Sequence, residues 1–221
     1  MNDGTKINWQ DVSLPEWYNK NMLDEASMKE YASLFAFNAN DDVLDLGCGE
    51  GTFFTHAAPI VKSCTGLDIS DSQLEAAKQK LSSFNNVKFV KSTLQGADFP
   101  NESFTKISIR KAIHHLTNDE KGILIDKACK WLKPGGLFIV EDLITTFALD
   151  RKDQRRDIIE AEAAQYYGER WPKLRDAFLT TLYVELPCDI SQLTHHLLFT
   201  GFNVRKIINH TCFMATVISQ K

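Results

Sequence analysis

A chain of 221 residues, 43% hydrophobic and 24% charged, can bury a real core and is neither disordered nor fibrous in composition. Its 25 basic and 29 acidic residues leave a formal charge of −4 with no basic cluster, so no nucleic-acid partner is expected. The five cysteines are scattered without CxxC spacing, which argues against a disulfide framework or a zinc site, and no metal is expected. The N-terminus has no apolar leader and no run approaches the ~20 apolar residues of a membrane span. A cytoplasmic protein with no membrane partner is the expectation.

The first stretch, to about Lys20, is polar apart from Trp9, Trp17 and Tyr18. Met28, Tyr31, Leu34 and Phe35 then recur at helical spacing and predict a helix over Asp24–Phe37. Val43–Leu46 reads as a buried strand, followed by a glycine turn and a helix over Thr52–Val61. Cys64–Asp68, Val87–Val90 and Phe104–Ile109 read as further strands, with a helix over Ser70–Ser83 between the first two of them. A helix capped by Thr117 or Asn118 runs to Leu132 and is stopped by Lys133-Pro134-Gly135-Gly136, because proline cannot continue it and glycine accommodates the turn. Leu137–Val140 is a fifth strand closed by Glu141-Asp142. This alternation predicts an α/β doubly wound sheet.

Residues 143–187 break the pattern. They are charged and aromatic, and read as a helical cap inserted into a single domain spanning 1–221, with 1–37 as an N-terminal flap and helix. A helix over Ser191–Thr200 and strands at Val204–Ile208 and Cys212–Ile218 complete the chain. The short link between the last two strands predicts a hairpin, with the final strand antiparallel.

The sharpest local feature is Asp45-Leu46-Gly47-Cys48-Gly49-Glu50-Gly51-Thr52, a strand running into glycines and a helix. Glycines at the carboxyl end of a strand let the backbone approach a ligand, and a helix start offers free N–H groups. A tight strand–helix connection is the bland alternative. Asp68, about twenty positions on, suits ribose hydroxyls or the capping of the next helix. The G-x-G-x-x-G spacing of nicotinamide sites is absent, since Thr52 takes its third position.

Together with Gly66-Leu67-Asp68, Ile113-His114-His115-Leu116 and Leu132-Lys133-Pro134-Gly135-Gly136, this segment resembles the successive motifs of class I S-adenosylmethionine-dependent methyltransferases of the small-molecule type. The resemblance covers about Asp24 to Ile218, apart from the cap. It implies a Rossmann-like, mostly parallel seven-stranded sheet whose last strand is antiparallel. It also implies S-adenosylmethionine as cofactor, with S-adenosylhomocysteine as product. Asp45 and the backbone of Gly47, Cys48 and Gly49 would hold its methionine end, Asp68 the ribose, and Ile69 one side of the adenine. Thr93 falls where many members carry an aspartate for the adenine amino group, with Leu94 beside it. That departure leaves adenine recognition to a neutral hydroxyl or to Asp98. Thr105 likewise replaces a common aspartate, at a position that is usually structural.

Methyl transfer from a sulfonium is an in-line displacement, so positioning and desolvation carry much of the rate and a base is needed only for a protonated acceptor. The fourth strand runs into Arg110, His114 and His115 at the end of the sheet where the methyl group should lie. One histidine facing the acceptor is one reading, and ordinary packing of both is the other. Arg110 suits a substrate carboxylate, the cofactor edge or a structural or solvent-facing role, and Glu141 and Asp142 suit an amine or a helix cap. Tyr166, Tyr167 and Trp171 in the cap, with Trp17 and Tyr18 as a flap, suit an acceptor pocket or plain packing. The expected function is methylation of a small-molecule acceptor. A non-catalytic cofactor-binding protein and methylation of a macromolecule are the alternatives, and the oligomeric state is left open.

Overall fold

The computed structural model describes residues 25–221, so the expectations for Trp17 and Tyr18 lie outside the described residues. After α1 (Glu25–Ser33) the chain alternates β1 (Asp42–Leu46), α2 (Thr52–Ala57), β2 (Ser63–Asp68), α3 (Asp71–Lys80), β3 (Val87–Lys91) and β4 (Phe104–Arg110). A 3-10 turn (Ile113–His115) leads into α4 (Asn118–Trp131) and β5 (Leu132–Thr145). The cap helices α5 (Arg156–Tyr167) and α6 (Trp171–Tyr183) precede β6 (Cys188–Asp189), α7 (Ile190–Phe199), β7 (Asn203–Asn209) and β8 (Met214–Gln220).

The helices start where side chains satisfy the free N–H groups of their first turns. Thr117 and Glu120 form a reciprocal capping box at α4, and Ser70 accepts from the Gln73 amide at α3, whose last turn carries Lys78 and Lys80. On α4, Leu124, Ile125, Ala128 and Trp131 turn one apolar face to the sheet, and that spacing is what the sequence displays.

The strands order as β3-β2-β1-β4-β5-β8-β7, with the two-residue β6 pairing to β5 off that path. β8 runs antiparallel to both β5 and β7, and the other pairs on the path are parallel. Connections leave β1 in one direction towards β3 and then return to β4 on its other side. That reversal opens a crevice beyond the carboxyl ends of β1 and β4. One apolar cluster, including Leu46, Ile109, Leu124 and Trp131, fills one face of the sheet; another, including Tyr31, Phe35, Phe53 and Phe54, fills the other.

The fifth strand is longer than the sequence suggests. It continues past Asp142 because Leu143 pairs with Met214 of β8, and Ile144 and Thr145 pair with Cys188 and Asp189 of β6. The cap proper therefore starts after Thr145 rather than at Leu143. Its two helices enclose a core of their own, in which Ile159, Ala163, Tyr167, Leu174, Phe178 and Leu182 meet Leu143, Phe213 and Met214 of the sheet end. Phe178 and Phe213 lie edge to face at 4.8 Å, and Tyr167 stacks on Trp171 at 6.0 Å. Among the described residues, no helix is long and apolar enough to cross a membrane.

Candidate active site

The glycine loop between β1 and α2 sits in the crevice and takes its shape from three left-handed residues, Gly47 (φ 76°), Gly49 (φ 52°) and Gly51 (φ 74°). The amides of Gly47 and Cys48 both donate to the Leu67 carbonyl, at 2.8 and 2.9 Å, which pins the loop to the end of β2. A side chain at Gly47 would strike Ala112 Cβ at 2.7 Å, so the turns after β1 and β4 touch there. At Gly49 the nearest atom to a hypothetical Cβ is Gln73 Oε1 at 3.8 Å, so the backbone there lies bare. The Cys48 side chain is buried against β2 and leaves only its backbone for a ligand.

Two carboxylates flank this loop. Asp68 accepts the Gly49 amide on Oδ2 and the Ser70 amide on Oδ1, each at 2.9 Å. A carboxylate offers about four lone-pair sites, so the group can still accept a ligand hydroxyl. Its pKa is raised from the ordinary carboxylate range, because burial outweighs the hydrogen bonds from Ser70, Gly49 and Ile69. Asp45 is buried at the end of β1, and burial pushes its pKa up to about 7, against a hydrogen bond from Ser108 and with a further push from the charge of Asp68. Two buried carboxylates of raised pKa beside a bare backbone loop favour a ligand carrying positive charge and hydroxyl donors.

The end of β4 and the middle of β5 hold the second half of the site. Arg110 donates from Nε to Glu141 Oε1 at 2.7 Å and from its terminal nitrogen to Ser27 Oγ at 2.9 Å, with its guanidinium over the Tyr31 ring. Glu141 also accepts from Thr216 Oγ1 at 2.8 Å. This pair clamps β4, β5 and β8 together. Asp142 is fully buried and is the cap of the 3-10 turn: Oδ2 accepts the amides of Ile113 and His114, at 2.9 and 3.3 Å, and Oδ1 lies 2.6 Å from His114 Nδ1. Neither carboxylate is left to orient an amine, and the helix that Asp142 caps follows β4 rather than β5.

His114 is sandwiched between Asp142 and Glu185, whose Oε2 lies 2.9 Å from Nε2. Burial lowers its basicity, but the charge and hydrogen bond of Asp142, with Glu185 behind them, win and raise its pKa to about 9. His115 goes the other way, down to about 3, through burial and the charge of its neighbour. Lys111 adopts φ 52°, a left-handed conformation that costs a side-chain-bearing residue ~1–2 kcal/mol. Burial and the nearby Arg110 bring its ammonium down to about 8.

The structure therefore brings together Asp45, Gly47, Gly49 and Asp68 on one side of the crevice, and Arg110, His114, His115, Glu141 and Asp142 at the strand ends beside it. Ile69 follows Asp68 and is half-buried. Thr93, just past β3, spends its hydroxyl on the Gly96 amide at 2.9 Å, and Leu94 packs on the core. Thr105 is structural: it accepts the Asp42 amide at 3.0 Å and donates to Asp41 at 2.7 Å. Tyr167 and Trp171 belong to the cap core, and Tyr166 packs edge-on against Tyr167 and Phe213. Sequence reasoning missed Glu185, which approaches His114 only through the folding back of the cap. It also missed the strain at Lys111, for which no residue-type signal exists.

Residues 43–136, which hold both the glycine loop and the histidine turn, match the methyltransferase domain family. That stretch is similar to the methyltransferase domain of class I S-adenosylmethionine-dependent enzymes. Phosphoethanolamine N-methyltransferase of Plasmodium falciparum is 29% identical over 133 residues, 60% of this chain and 50% of that protein. Demethylmenaquinone methyltransferase of Tropheryma whipplei is 31% identical over 119 residues, 53% of this chain and 48% of that one. The chain thus spans about half the length of the curated relatives it matches. In fold it is similar to YcgJ of Bacillus subtilis (TM-score 0.65, 17% identity, 89% of this chain and 98% of that one). It is also similar to an S-adenosylmethionine-dependent methyltransferase of Mesorhizobium loti (TM-score 0.64, 16% identity, 90% of this chain and all of that one).

The cofactor of this domain family is S-adenosylmethionine, and the residues present fit it. The buried carboxyl of Asp45 suits an ammonium group, and the remaining lone pairs of Asp68 suit a ribose diol. The bare backbone at Gly49 admits a ligand chain at van der Waals distance.

Proposed function

We propose that this chain transfers the methyl group of S-adenosylmethionine to a small-molecule acceptor. The observation that carries the reading is the Asp68–Gly49 hydrogen bond across the end of β1 and β2. It sets a carboxylate and a bare backbone loop on one crevice, with a second buried carboxylate, Asp45, beside them. When bound there, the cofactor supplies an electrophilic methyl carbon on a sulfonium.

The chain's own work is then to bind, orient and exclude water. Asp45 and Asp68 hold the two ends of the cofactor from neighbouring strands. Asp142 is a positioning residue that locks the 113–115 turn, and through it the ring of His114, against β5. The greater exposure of the His115 side chain, 26% against 8% for His114, supports His115 as the group that touches an acceptor. The cap covers that end of the sheet and keeps water from it, and holding the reactants in register is worth up to ~7–11 kcal/mol in favourable systems.

Small-molecule acceptors are the reading favoured by the relatives, one named for phosphoethanolamine and another for demethylmenaquinone. The net charge of −4, without a basic cluster, agrees with it. The test is transfer of label from methyl-labelled cofactor into a metabolite extract. Label in the small-molecule fraction, absent with Asp68→Ala, is the expected result. Label confined to protein or RNA fractions contradicts it.

A further inference from the structure

His114, His115 and Glu185 bring three ligand-type atoms together at the seam between cap and sheet. His114 Nε2 lies 2.9 Å from Glu185 Oε2, His115 Nδ1 lies 3.5 Å from the same oxygen, and one ligand atom from each of the three residues lies within 4.8 Å of the others. Glu185 Oε2 is buried, yet it forms no hydrogen bond, although a ring nitrogen stands within reach. A buried carboxylate oxygen left in this state calls for a partner of another kind.

The spacing suits a metal ion. Zinc binds histidine nitrogen and carboxylate oxygen at ~2.0–2.2 Å, which for a tetrahedral shell places neighbouring donors ~3.3 Å apart. The 2.9 and 3.5 Å separations bracket that edge. Behind the donors stands a supporting hydrogen bond of the kind metal-bound histidines use: Asp142 Oδ1 holds Nδ1 of His114 at 2.6 Å and leaves Nε2 on the Glu185 side of the ring. The backbone is fixed as well. Asp142 Oδ2 caps the turn that carries both histidines, and the Leu186 amide donates to the His114 carbonyl at 3.0 Å, which seats the residue next to Glu185. Lys121 Nζ adds a bridge between the carbonyls of Leu116 and Leu186.

We propose that His114 Nε2, His115 Nδ1 and Glu185 Oε2 form a binding site for one divalent transition-metal ion of the zinc class. Three protein ligands leave a coordination position open, as catalytic zinc sites do and closed structural sites do not. Of the three side chains, His115 is the most exposed, at 26% against 8% and 9% for His114 and Glu185. The open position therefore lies on the His115 side, where an acceptor's oxygen, nitrogen or sulfur atom can reach it. The same ion ties the cap to the sheet, because Glu185 follows α6 and the histidines follow β4. The sequence reading foresaw no metal because its ligands are split between a strand end and the far side of the cap.

The experiment titrates the full chain, stripped with a chelator and dialysed, with Co²⁺, follows the visible absorption of the bound ion, and then adds Zn²⁺. The expected result is one Co²⁺ per chain, displaced by Zn²⁺. Glu185→Gln and His115→Ala should each weaken binding more than ~10-fold, and Asp142→Asn by ~10–100-fold through the supporting hydrogen bond. Glu185→Gln keeps side-chain size, and its far-UV circular dichroism and S-adenosylmethionine affinity should match wild type, so a loss of metal is not a loss of fold. A folded wild type that takes up no stoichiometric Co²⁺, or uptake unchanged in both ligand variants, overturns the proposal. Because the metal is read directly, that failure is separate from any failure to bind cofactor or transfer methyl.

Discussion

The carboxylate of Asp68 and the amide of Gly49 meet at 2.9 Å, joining the end of β2 to the loop after β1. That bond couples the shape of the loop to the charge beside it. The Gly49 N–H is held by Asp68 and turned from a ligand, while the carboxylate keeps its remaining lone pairs. A ligand in this crevice is therefore met by carboxylate oxygens and a bare chain rather than by a ring of free amides, which suits hydroxyls and a cation better than a phosphate.

Gly47→Ala tests how tightly the loop is built. The substitution puts a side chain at φ 76°, a cost of ~1–2 kcal/mol, and brings its Cβ to 2.7 Å from Ala112 Cβ, where both partners are rigid. For a chain of this size, ~2 kcal/mol lowers the melting temperature by about 4–8 °C. Thermal unfolding should register at least that fall, together with weaker cofactor binding by calorimetry. An unchanged melting temperature and affinity would mean that the two turns are not in contact.

Asp45 sets a pH dependence. Its pKa rises from 3.8 to about 7 in the fold, so the ligand-free protein holds a proton there that the unfolded chain releases at lower pH. The stabilisation this gives is fully present below pH 3.8 and is lost as the pH rises through about 7. Binding of a ligand ammonium needs the ionised carboxylate. Cofactor affinity should therefore increase between pH 6 and pH 8, and Asp45→Asn should bind weakly with a flatter profile. Calorimetry across that range decides it; affinity that falls with rising pH would reverse the assignment.

Phe178→Ala separates the cap from the cofactor site. Phe178 is buried against Tyr167, Trp171 and Phe213, and removing such a ring costs ~3–5 kcal/mol. The damage should stay in α5 and α6, seen as faster proteolysis between Leu149 and Tyr183, with cofactor affinity retained and methyl transfer reduced. Equal loss of cofactor binding would show that the cap core supports the glycine loop as well.

The parts of this architecture visible in the sequence are those encoded locally. The strand–glycine–helix run from Asp45 to Thr52, the Thr117 cap and the stop at Pro134 each depend on residues within a few positions of one another. The last two strands announce their hairpin through a short link, and β8 is antiparallel as that link requires. The acceptor side was harder to read because its partners are distant in the chain. Arg110 and Glu141 look like candidate ligand groups in sequence, but they meet across neighbouring strands and hold each other. Asp142 looks like the cap of a helix after β5 and instead caps the turn after β4, since β5 runs on beside β8 and β6. Glu185 carries no local mark at all.

The account rests on the Asp45–Gly49–Asp68 crevice being a cofactor site, and the most direct measurement is calorimetric binding of S-adenosylmethionine and S-adenosylhomocysteine to wild type and Asp68→Ala. Removing a carboxylate that makes charged hydrogen bonds of ~1.5–3 kcal/mol each should weaken binding at least ~10-fold. Micromolar binding by wild type, lost or sharply reduced in the variant, is the predicted result. No binding of either compound by a well-folded wild type, or equal binding by both proteins, would contradict it.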